Sequence, residues 1–412
     1  MIREAAAGGA RVPWDVGHVP DRDSNPPPDT CNHSGMSDVR IAVVGGGIAG
    51  ASTAYHLTVV HPDAEVLLLE AEPVLAHHTT GRSAAILAGN LSTPPNRILT
   101  RASVGFLREP PEGLVDAPLL APRPVLHVAT ASQSRFVDEL LEAGSGLPSP
   151  TAELTPGEAV AHFPPLRKER VDRAALDADC YDLDVGALHQ AYVRGLRRGG
   201  GRIATSTRVD AARRDGAGWR VATTEGDMGA DVVVNAAGAW GDLVAISAGV
   251  EPVGLQPCRR TAFMVNGPGG DTTGWAFTID VEHRWYTKDD GPQMLCSLGE
   301  ETPSEPCDAR PAEVDVALAI DRINAATTLD IRSVNSAWAG LRTFAPDRSM
   351  VLGPDPAEPA FVWCVGQGGC GIQTSPGAGR LVADLALGGD LSAAFDGADV
   401  SGLLPGRLRG HG

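Results

Sequence analysis

The stretch from Val39 to Gly50, VRIAVVGGGIAG, decides the fold of this chain. Its apolar run Arg40–Val44 predicts a short buried strand, Gly45–Gly50 a tight turn, and Ala49–Val60 a helix. A second apolar run, Glu65–Glu70, predicts the next strand. Strand, helix and strand in this order predict a βαβ unit with parallel strands.

The glycine turn of this unit has the spacing GxGxxG. Glycines at Gly45, Gly47 and Gly50 permit a tight turn, a close approach of the backbone to a pyrophosphate, and close packing of helix on strand. The N-terminus of the following helix supplies amide donors for the phosphates. Glu70 ends the next strand, where a carboxylate accepts hydrogen bonds from ribose hydroxyls and disfavours a 2′-phosphate. The unit therefore predicts dinucleotide binding, and NADP is disfavoured.

Length, composition and charge limit what else the chain can be. Its 412 residues carry a formal net charge of −17, with 43% hydrophobic and 21% charged residues. This composition is typical of globular proteins and predicts two or three domains, or one large divided domain. The acidic balance argues against a nucleic-acid or membrane-surface protein. The longest apolar stretches, Val66–Leu69 and Phe361–Val365, are far shorter than a membrane span, so we expect a soluble protein.

Cysteine usage and the first residues of the chain allow two further predictions. The seven cysteines include no CxxC pair, which indicates reduced thiols, a cytoplasmic location and no zinc site. Residues 1–36 hold five prolines and no periodic apolar pattern, so we expect a disordered N-terminal extension. The adjacent His77 and His78 have no further histidine or carboxylate at ligand spacing in the sequence. We therefore predict a cofactor loop or an exposed loop there, and no metal site.

A second glycine cluster, Gly366–Gly371, follows the apolar strand Ala360–Val365 and precedes a predicted helix that ends near Leu387. Taken alone, the cluster is compatible with a glycine-rich loop that binds nothing. A second helix N-terminus would, however, suit an isoalloxazine ring, because it stabilises the negative charge that develops on reduction. The two clusters together favour a flavin over a nicotinamide.

Four segments together resemble the superfamily of FAD-dependent D-amino-acid oxidases, sarcosine oxidases and glycine oxidases. They are the first glycine turn with Glu70, the stretch Thr80–Ala85, the strand Val232–Trp240, and the cluster Gly366–Pro376. The resemblance extends from Val39 to Gly388.

Within this superfamily the chain is most similar to bacterial D-arginine dehydrogenases. Five stretches in the same order carry that similarity: Gly81–Ala85, Pro118–Pro124, Gly254–Pro257, Arg259–Arg260 and Trp338–Arg342.

The resemblance implies an α/β fold with two domains. A Rossmann-like FAD-binding domain would comprise residues 37–90, 160–250 and 330–405, and a β-rich substrate domain of the D-amino-acid oxidase type residues 91–159 and 251–329. The residues expected to bind FAD lie in the two glycine turns and in the segments that resemble the family: Gly45, Gly47, Ile48, Ala49, Gly50, Glu70, Ala71, Arg82, Ser83, Ala84, Val209, Ala237, Gly238, Trp240, Gly340, Gly366, Gln367, Gly368, Gly369, Gly371, Ile372, Gln373 and Thr374.

The resemblance also bears on how FAD is held. Relatives with covalent flavin carry a cysteine in the loop corresponding to Trp338–Asp347 or a histidine in the stretch corresponding to Arg82–Ala84. This chain has neither residue type in those stretches. We therefore expect non-covalent FAD.

The resemblance further implies oxidation of an amine by hydride transfer from the substrate α-carbon to flavin N5. Arg260 and Arg342 correspond to side chains that hold the substrate carboxylate, Tyr286 to a tyrosine beside them, and Gly369 to a backbone group that touches the substrate. The residue types suit these roles, because a guanidinium binds a carboxylate through two parallel hydrogen bonds. A fixed carboxylate aims the Cα–H bond at the flavin.

Structural explanations of the same residues remain open at this stage. Arg342 could form a buried ion pair with a residue such as Asp347. Arg260 could be a solvated strand charge, as we expect of Arg259. Tyr286 could be a half-buried strand aromatic.

Substrate preference is predicted from departures from the family pattern. The position after Pro124 is acidic in the arginine-specific relatives and is Val125 here. The stretch Ile86–Leu91 replaces one that carries histidine and tyrosine there. A pocket lined by Ile86, Leu91 and Val125 would leave a cationic side chain without a partner, which is costly. This favours apolar or uncharged D-amino acids, unless the alignment is shifted by a residue or two and these side chains pack elsewhere.

The predicted function is thus oxidation of a D-amino acid to an imino acid, and then to a 2-oxo acid and ammonia. Two alternatives remain: a flavin oxidase or dehydrogenase specific for one cyclic or secondary amino-acid intermediate of a pathway, and a non-catalytic FAD-binding protein. The expected partner is a small carboxylate-bearing substrate, and no nucleic acid is expected. The sequence leaves open whether oxygen, a quinone or a carrier reoxidises the flavin, and whether the protein is a monomer or a dimer.

Overall fold

A computed structural model describes residues 39–409 of the chain, so the predicted disordered extension 1–36 lies outside the described residues. The strands, numbered β1 to β21 in chain order, are Arg40–Val44, Glu65–Leu69, Ile86–Leu87, Leu120–Pro122, Val125–Ala129, Ala152–Leu154, Arg173–Asp177, Tyr181–Leu183, Arg202–Ala204, Val209–Asp215, Gly218–Thr223, Gly226–Ala230, Val232–Asn235, Gln256–Asn266, Phe277–Asp280, Tyr286–Asp290, Gln293–Ser297, Thr302–Pro303, Ser336–Phe344, Val351–Pro354 and Phe361–Val365. The helices, α1 to α8, are Ile48–Val60, Pro94–Arg108, Ser134–Gly144, Pro156–His162, Val185–Arg198, Gly241–Ser247, Glu313–Ala326 and Gly371–Ala386.

The first large sheet, which we call the parallel sheet, has the strand order β20-β21-β13-β1-β2-β9. All its neighbours run parallel except β20, which is antiparallel to β21. Strand β1 is buried along nearly its whole length because helices cover the sheet, and this explains its continuous apolar run. Helices α1 and α8 pack against each other over this sheet. The predicted βαβ unit therefore forms the centre of the first domain.

The second large sheet, the mixed sheet, has the order β18-β14-β17-β16-β15-β5-β7-β6, with β19 paired to β14. Its pairs are antiparallel except for the parallel pair β5 and β15. The predicted α/β fold with a second, β-rich domain is confirmed.

The register of the mixed sheet brings three predicted site residues to one face. Cys258 on β14 lies opposite Arg342 on β19, and Arg260 follows two residues after Cys258. Because residues two apart on a strand share a face, Arg260 and Arg342 are diagonal neighbours. Across β17, Tyr286 lies in line with Ala262, which is again two residues along from Arg260. The sheet therefore presents both arginines and the tyrosine on the same side.

Three elements lie across the predicted domain boundaries. Strand β7 was expected in the FAD-binding domain but pairs with β5 and β6, and β19 was expected there but pairs with β14. Helix α2 was expected in the substrate domain but packs against α8, where Leu99 and Leu381 share one apolar core. The apolar pattern of a short strand or an amphipathic helix predicts that the element is buried. The pattern does not predict which of the two sheets the element contacts.

Candidate active site

A cavity of about 530 Å³ lies where the two glycine turns meet the arginine-bearing face of the mixed sheet. Arg260, Tyr286, Arg342 and Gly369 all line it. So do most of the residues predicted to bind the cofactor: Gly45, Gly47, Ile48, Ala49, Glu70, Ala71, Arg82, Ser83, Ala84, Val209, Ala237, Gly238, Trp240, Gly340, Gln367, Gly368, Gly369, Gly371 and Ile372. The remaining four, Gly50, Gly366, Gln373 and Thr374, do not line the cavity.

The first glycine turn has no room for side chains at two positions. Gly45 has a φ of +109°, and a Cβ there would lie 2.5 Å from the carbonyl oxygen of Ala236. A Cβ at Gly50 would lie 1.8 Å from the carbonyl oxygen of Gly45. Gly50 therefore permits the close packing of turn and helix and does not itself form the cavity wall.

The N-terminus of α1 is fixed by a threonine that was not among the predicted site residues. The Ile48 amide donates to Thr80 Oγ1 at 2.9 Å, so Thr80 fixes the start of the helix. Thr80 is the first residue of the stretch Thr80–Ala85 that resembles the family, and this position was the only sign in the sequence of its role. His189, from α5, is also new: its Nε2 donates to the Gly46 carbonyl at 3.0 Å. Burial lowers the His189 pKa, which keeps the ring neutral beside the turn.

Glu70 lies at the same end of the cavity. Its Oε2 accepts from the Gly46 amide at 2.7 Å and its Oε1 from the Glu72 amide at 2.8 Å. These contacts fix the carboxylate, and each oxygen retains a lone pair that can accept from a ribose hydroxyl. The geometry of the donors, the glycine turn and this carboxylate fits the nucleotide half of a dinucleotide.

The second glycine turn reaches the cavity at the start of α8. Gly368 has a φ of +54° and its amide donates to the Thr343 carbonyl at 2.8 Å, which ties the turn to β19. Gln373 instead faces the interior, where its Oε1 accepts from the Ala88 amide at 2.9 Å. Thr374 Oγ1 donates to the Cys370 carbonyl at 2.9 Å. Cys370 is buried, and its thiol lies 3.3 Å from the Ser92 hydroxyl.

Arg342 lines the cavity as a cation without a partner among the described residues. Within residues 39–409, its guanidinium makes no hydrogen bond or ion pair to the protein, and it lies against Gly369. Loss of hydration, together with the charge of Arg260, lowers the Arg342 pKa to about 10, so the group stays cationic at neutral pH. The alternative pairing with Asp347 is wrong, because Asp347 binds Arg407 at 2.7 Å. A desolvated guanidinium without a partner is a site for an anion.

Arg260 differs from Arg342 because the protein already satisfies part of it. It is only 9% exposed, and its Nε donates to the Glu300 carbonyl at 2.6 Å. Its Nη2 contacts Glu301 Oε1 at 3.4 Å. The solvated-charge alternative is therefore wrong for Arg260. It is also wrong for Arg259, which is half-buried and pairs with Asp315 on α7 at 2.8 Å.

Tyr286 lines the cavity with its ring stacked on Phe277, at 5.2 Å between centroids and 26° between planes. The predicted pocket residues Ile86, Leu91 and Val125 do not line the cavity but pack in the same apolar cluster as Tyr286. Strand alternation accounts for this correction, because it turns Val125 into the core of the mixed sheet, where it is 1% exposed. The three residues thus belong to the apolar cluster that contains the tyrosine.

Two further features sit at the cofactor end of the cavity. A carboxylate does accompany the adjacent histidines, contrary to expectation: His78 Nε2 lies 3.0 Å from Glu72 Oε1, and the His78 ring lies 4.8 Å from the Trp240 ring. Both histidines line the cofactor cavity, as a cofactor-loop role requires, and the absence of a metal stays a prediction. Arg82 donates to the Ala339 carbonyl at 2.8 Å and pairs with Asp308, which lowers the pKa of that carboxyl. It thereby joins the cofactor loop to β19.

The parallel sheet with its glycine turn, the second helix N-terminus and the arginine-bearing sheet over the same cavity define a class, the flavin-dependent oxidoreductases. The chain belongs to the family described as DAO, FAD-dependent oxidoreductase, whose profile matches residues 40–385. Membership of this family confirms the predicted cofactor, FAD, and the predicted class, an amine or amino-acid oxidoreductase.

Known proteins of similar sequence and fold agree with this assignment. The chain is 25% identical to FAD-dependent oxidoreductase domain-containing protein 1 of Bos taurus, over 94% of this chain and 86% of that protein. It is 25% identical to the glycine oxidase of Geobacillus kaustophilus, over 84% and 92% of the two chains. The crystal structure of that glycine oxidase superposes with a TM-score of 0.78 at 22% identity, covering 90% and 100% of the chains. L-Proline dehydrogenase from P. horikoshii superposes with a TM-score of 0.77 at 20% identity, covering 90% and 98%.

Among residues 39–409, no helix combines the length and the apolar character needed to cross a membrane. The cytoplasmic location, the oligomeric state and the electron acceptor stay predictions.

Proposed function

We propose that this FAD-dependent oxidoreductase oxidises the Cα–N bond of a D-amino acid with an apolar or uncharged side chain. The product is an imino acid, which water converts to a 2-oxo acid and ammonia. The observation that carries the proposal is the unpaired Arg342 guanidinium in the cofactor cavity. The D configuration rests on the resemblance of the sequence to D-amino-acid-specific relatives.

The carboxylate end of the cavity is built to hold an α-carboxylate. Arg342 offers two parallel N–H donors, and the edge of Arg260 that does not face Glu300 and Glu301 offers more. The backbone of Gly369 lies beside Arg342, because a Cβ there would be only 2.8 Å from its Nη1. A carboxylate held by two arginines fixes the orientation of the attached α-carbon.

FAD bound in the cavity supplies the acceptor for the hydride that leaves the α-carbon. The protein groups then have three tasks: they bind the carboxylate, orient the α-carbon and exclude water. Tyr286, braced by Phe277, limits the positions open to the substrate. No protein base is required if the substrate amine binds in its neutral form, and none is assigned.

Charge at this end of the cavity supports an uncharged side chain on the substrate. The described lining residues on the mixed sheet beside the arginines include Ala262, Tyr286 and Gly340, and none of those on this sheet is acidic. The acidic residues among the described lining are Glu70, Glu72 and Asp210, none of which lies on the mixed sheet that carries the arginines. A cationic side chain would therefore meet two like charges and no partner.

A secondary or cyclic amino acid is the second candidate. The cavity wall beside the arginines includes the small residues Ala84, Ala262 and Gly340, which leave space next to the substrate amine. Among the similar structures, one is a proline dehydrogenase and another an iminodiacetate oxidase.

Anaerobic titration of the purified yellow holoenzyme tests these candidates through the absorbance of the flavin. The panel contains D- and L-Leu, D-Met, D-Phe, D-Arg, L-Pro, sarcosine and a 2-hydroxy acid. Bleaching by D-Leu, D-Met or D-Phe but not by D-Arg is the expected result. Bleaching by L-Pro or sarcosine alone would establish the second candidate. Bleaching by the hydroxy acid alone would overturn amine oxidation, since a carboxylate site accepts either substrate.

A further inference from the structure

A network of charges extends from Arg260 to the outside of the cavity. Glu301 immediately precedes β18, and its Oε1 lies 3.4 Å from Arg260 Nη2. Both oxygens of the same carboxylate accept from Nη2 of Arg348, Oε2 at 2.8 Å and Oε1 at 3.0 Å. Glu301 is thus shared between a cation that lines the cavity and one that does not, and it lies closer to the latter.

Arg348 is held in place for this contact. Its backbone is in the left-handed region, with a φ of +64°, in the turn that follows β19. Its guanidinium lies 3.9 Å from the centre of the Phe344 ring, and the Phe344 ring packs against Gly368 of the second glycine turn. The side chain is 50% exposed, so it carries its positive charge at the surface while the stack orients it.

We propose that Arg348 is a positioning residue that sets the affinity of the active site for carboxylates by withholding Glu301 from Arg260. This inference rests on the proposed function of Arg260 and Arg342. A substrate carboxylate and the Glu301 carboxylate compete for the same guanidinium. The Arg348 contact at 2.8 Å is shorter than the 3.4 Å contact between Glu301 and Arg260, so Arg348 draws the Glu301 charge away from Arg260.

The signs of the expected effects follow from this competition. Arg348→Gln releases Glu301 to Arg260, so carboxylate binding weakens, about three- to tenfold. Glu301→Gln keeps the size and hydrogen-bonding atoms but removes the competing charge, so carboxylate binding tightens by about threefold. The double variant lacks the competing charge through which Arg348 acts, so its affinity should match that of Glu301→Gln.

The experiment measures the dissociation constants of acetate and benzoate, which the flavin cannot oxidise, from the change in flavin absorbance of the holoenzyme. Arg348→Lys separates pairing from charge: it keeps the charge but lacks the guanidinium fork, so affinity falls by about twofold. Arg332→Gln is the matched control and leaves affinity unchanged, because this arginine is 81% exposed and, among residues 39–409, pairs only with Asp330.

Opposite effects of Arg348→Gln and Glu301→Gln, with the double variant binding as tightly as Glu301→Gln, support the proposal. Weaker binding in both single variants would indicate a merely structural role and overturn it. Wild-type affinity in Arg348→Lys together with weaker binding in Arg332→Gln would replace it by a general effect of surface charge. An Arg342→Met holoenzyme that still binds the carboxylates like the unchanged protein would overturn the proposed function itself, a result distinct from either of these.

Discussion

The two ends of the cavity are built in different ways. At the nucleotide end the backbone of the glycine turn shapes the site, because Gly45 and Gly50 leave no room for a side chain. At the carboxylate end side chains form it, and Arg260, Tyr286 and Arg342 come from three strands brought together by the register of the mixed sheet. A backbone site is specified by adjacent residues, whereas a side-chain site depends on strand pairing across long sequence distances. The first should therefore be intolerant of small changes that the second can accommodate.

The strongest test of this contrast is Gly50→Ala. The added Cβ would lie 1.8 Å from the Gly45 carbonyl oxygen, and neither backbone segment can move without breaking the turn. We expect loss of bound FAD during purification and a clearly lower melting temperature. Gly146→Ala is the matched control, since its Cβ would meet nothing within 4 Å. FAD content at the level of the control would contradict the backbone description of this end.

Arg342→Met tests the carboxylate end. The holoenzyme should retain FAD, whereas kcat/KM should fall by about 100-fold or more, because a desolvated charge-assisted contact to the substrate is lost. Arg260→Met should cost less, about tenfold, since Glu301 already satisfies part of that guanidinium. Steady-state kinetics with the substrate found in the anaerobic titration give both numbers. Equal losses would show that the two arginines are equivalent, and full activity of Arg342→Met would favour a non-catalytic FAD-binding protein.

The smallest effect is expected from a glycine-to-alanine change at the carboxylate end, Gly369→Ala. A Cβ at Gly369 would lie 2.8 Å from Nη1 of Arg342, the tip of a flexible side chain that can turn away. Gly369→Ala should therefore keep its FAD and raise KM by about tenfold with a smaller change in kcat. Loss of FAD from this variant, as from Gly50→Ala, would remove the distinction between the two ends.

The same contrast explains what could be predicted from the sequence. The first glycine turn and Glu70 are local patterns whose geometry follows from neighbouring residues, and the structure has them as expected. Arg260 and Arg342 could be singled out only through resemblance, because no local pattern links residues 82 positions apart. His189 and Arg348 were missed for the same reason: each acts through a contact made by distant parts of the chain. Val125 was placed in the substrate pocket because the sequence does not show which face of a strand borders a cavity until the strand order of the sheet is known.

The strand order of the parallel sheet also determines when the protein can fold during its synthesis. Strand β1 needs β13 as a neighbour, with Val43 opposite Val234, and β13 needs β21, with Val234 opposite Val362. Until β13 has been synthesised, the backbone donors and acceptors on that edge of β1 therefore have no partner strand. An unpaired strand edge of this kind favours aggregation of a nascent chain. The cofactor cavity, which also requires Ile372, can form only when nearly the whole chain has left the ribosome.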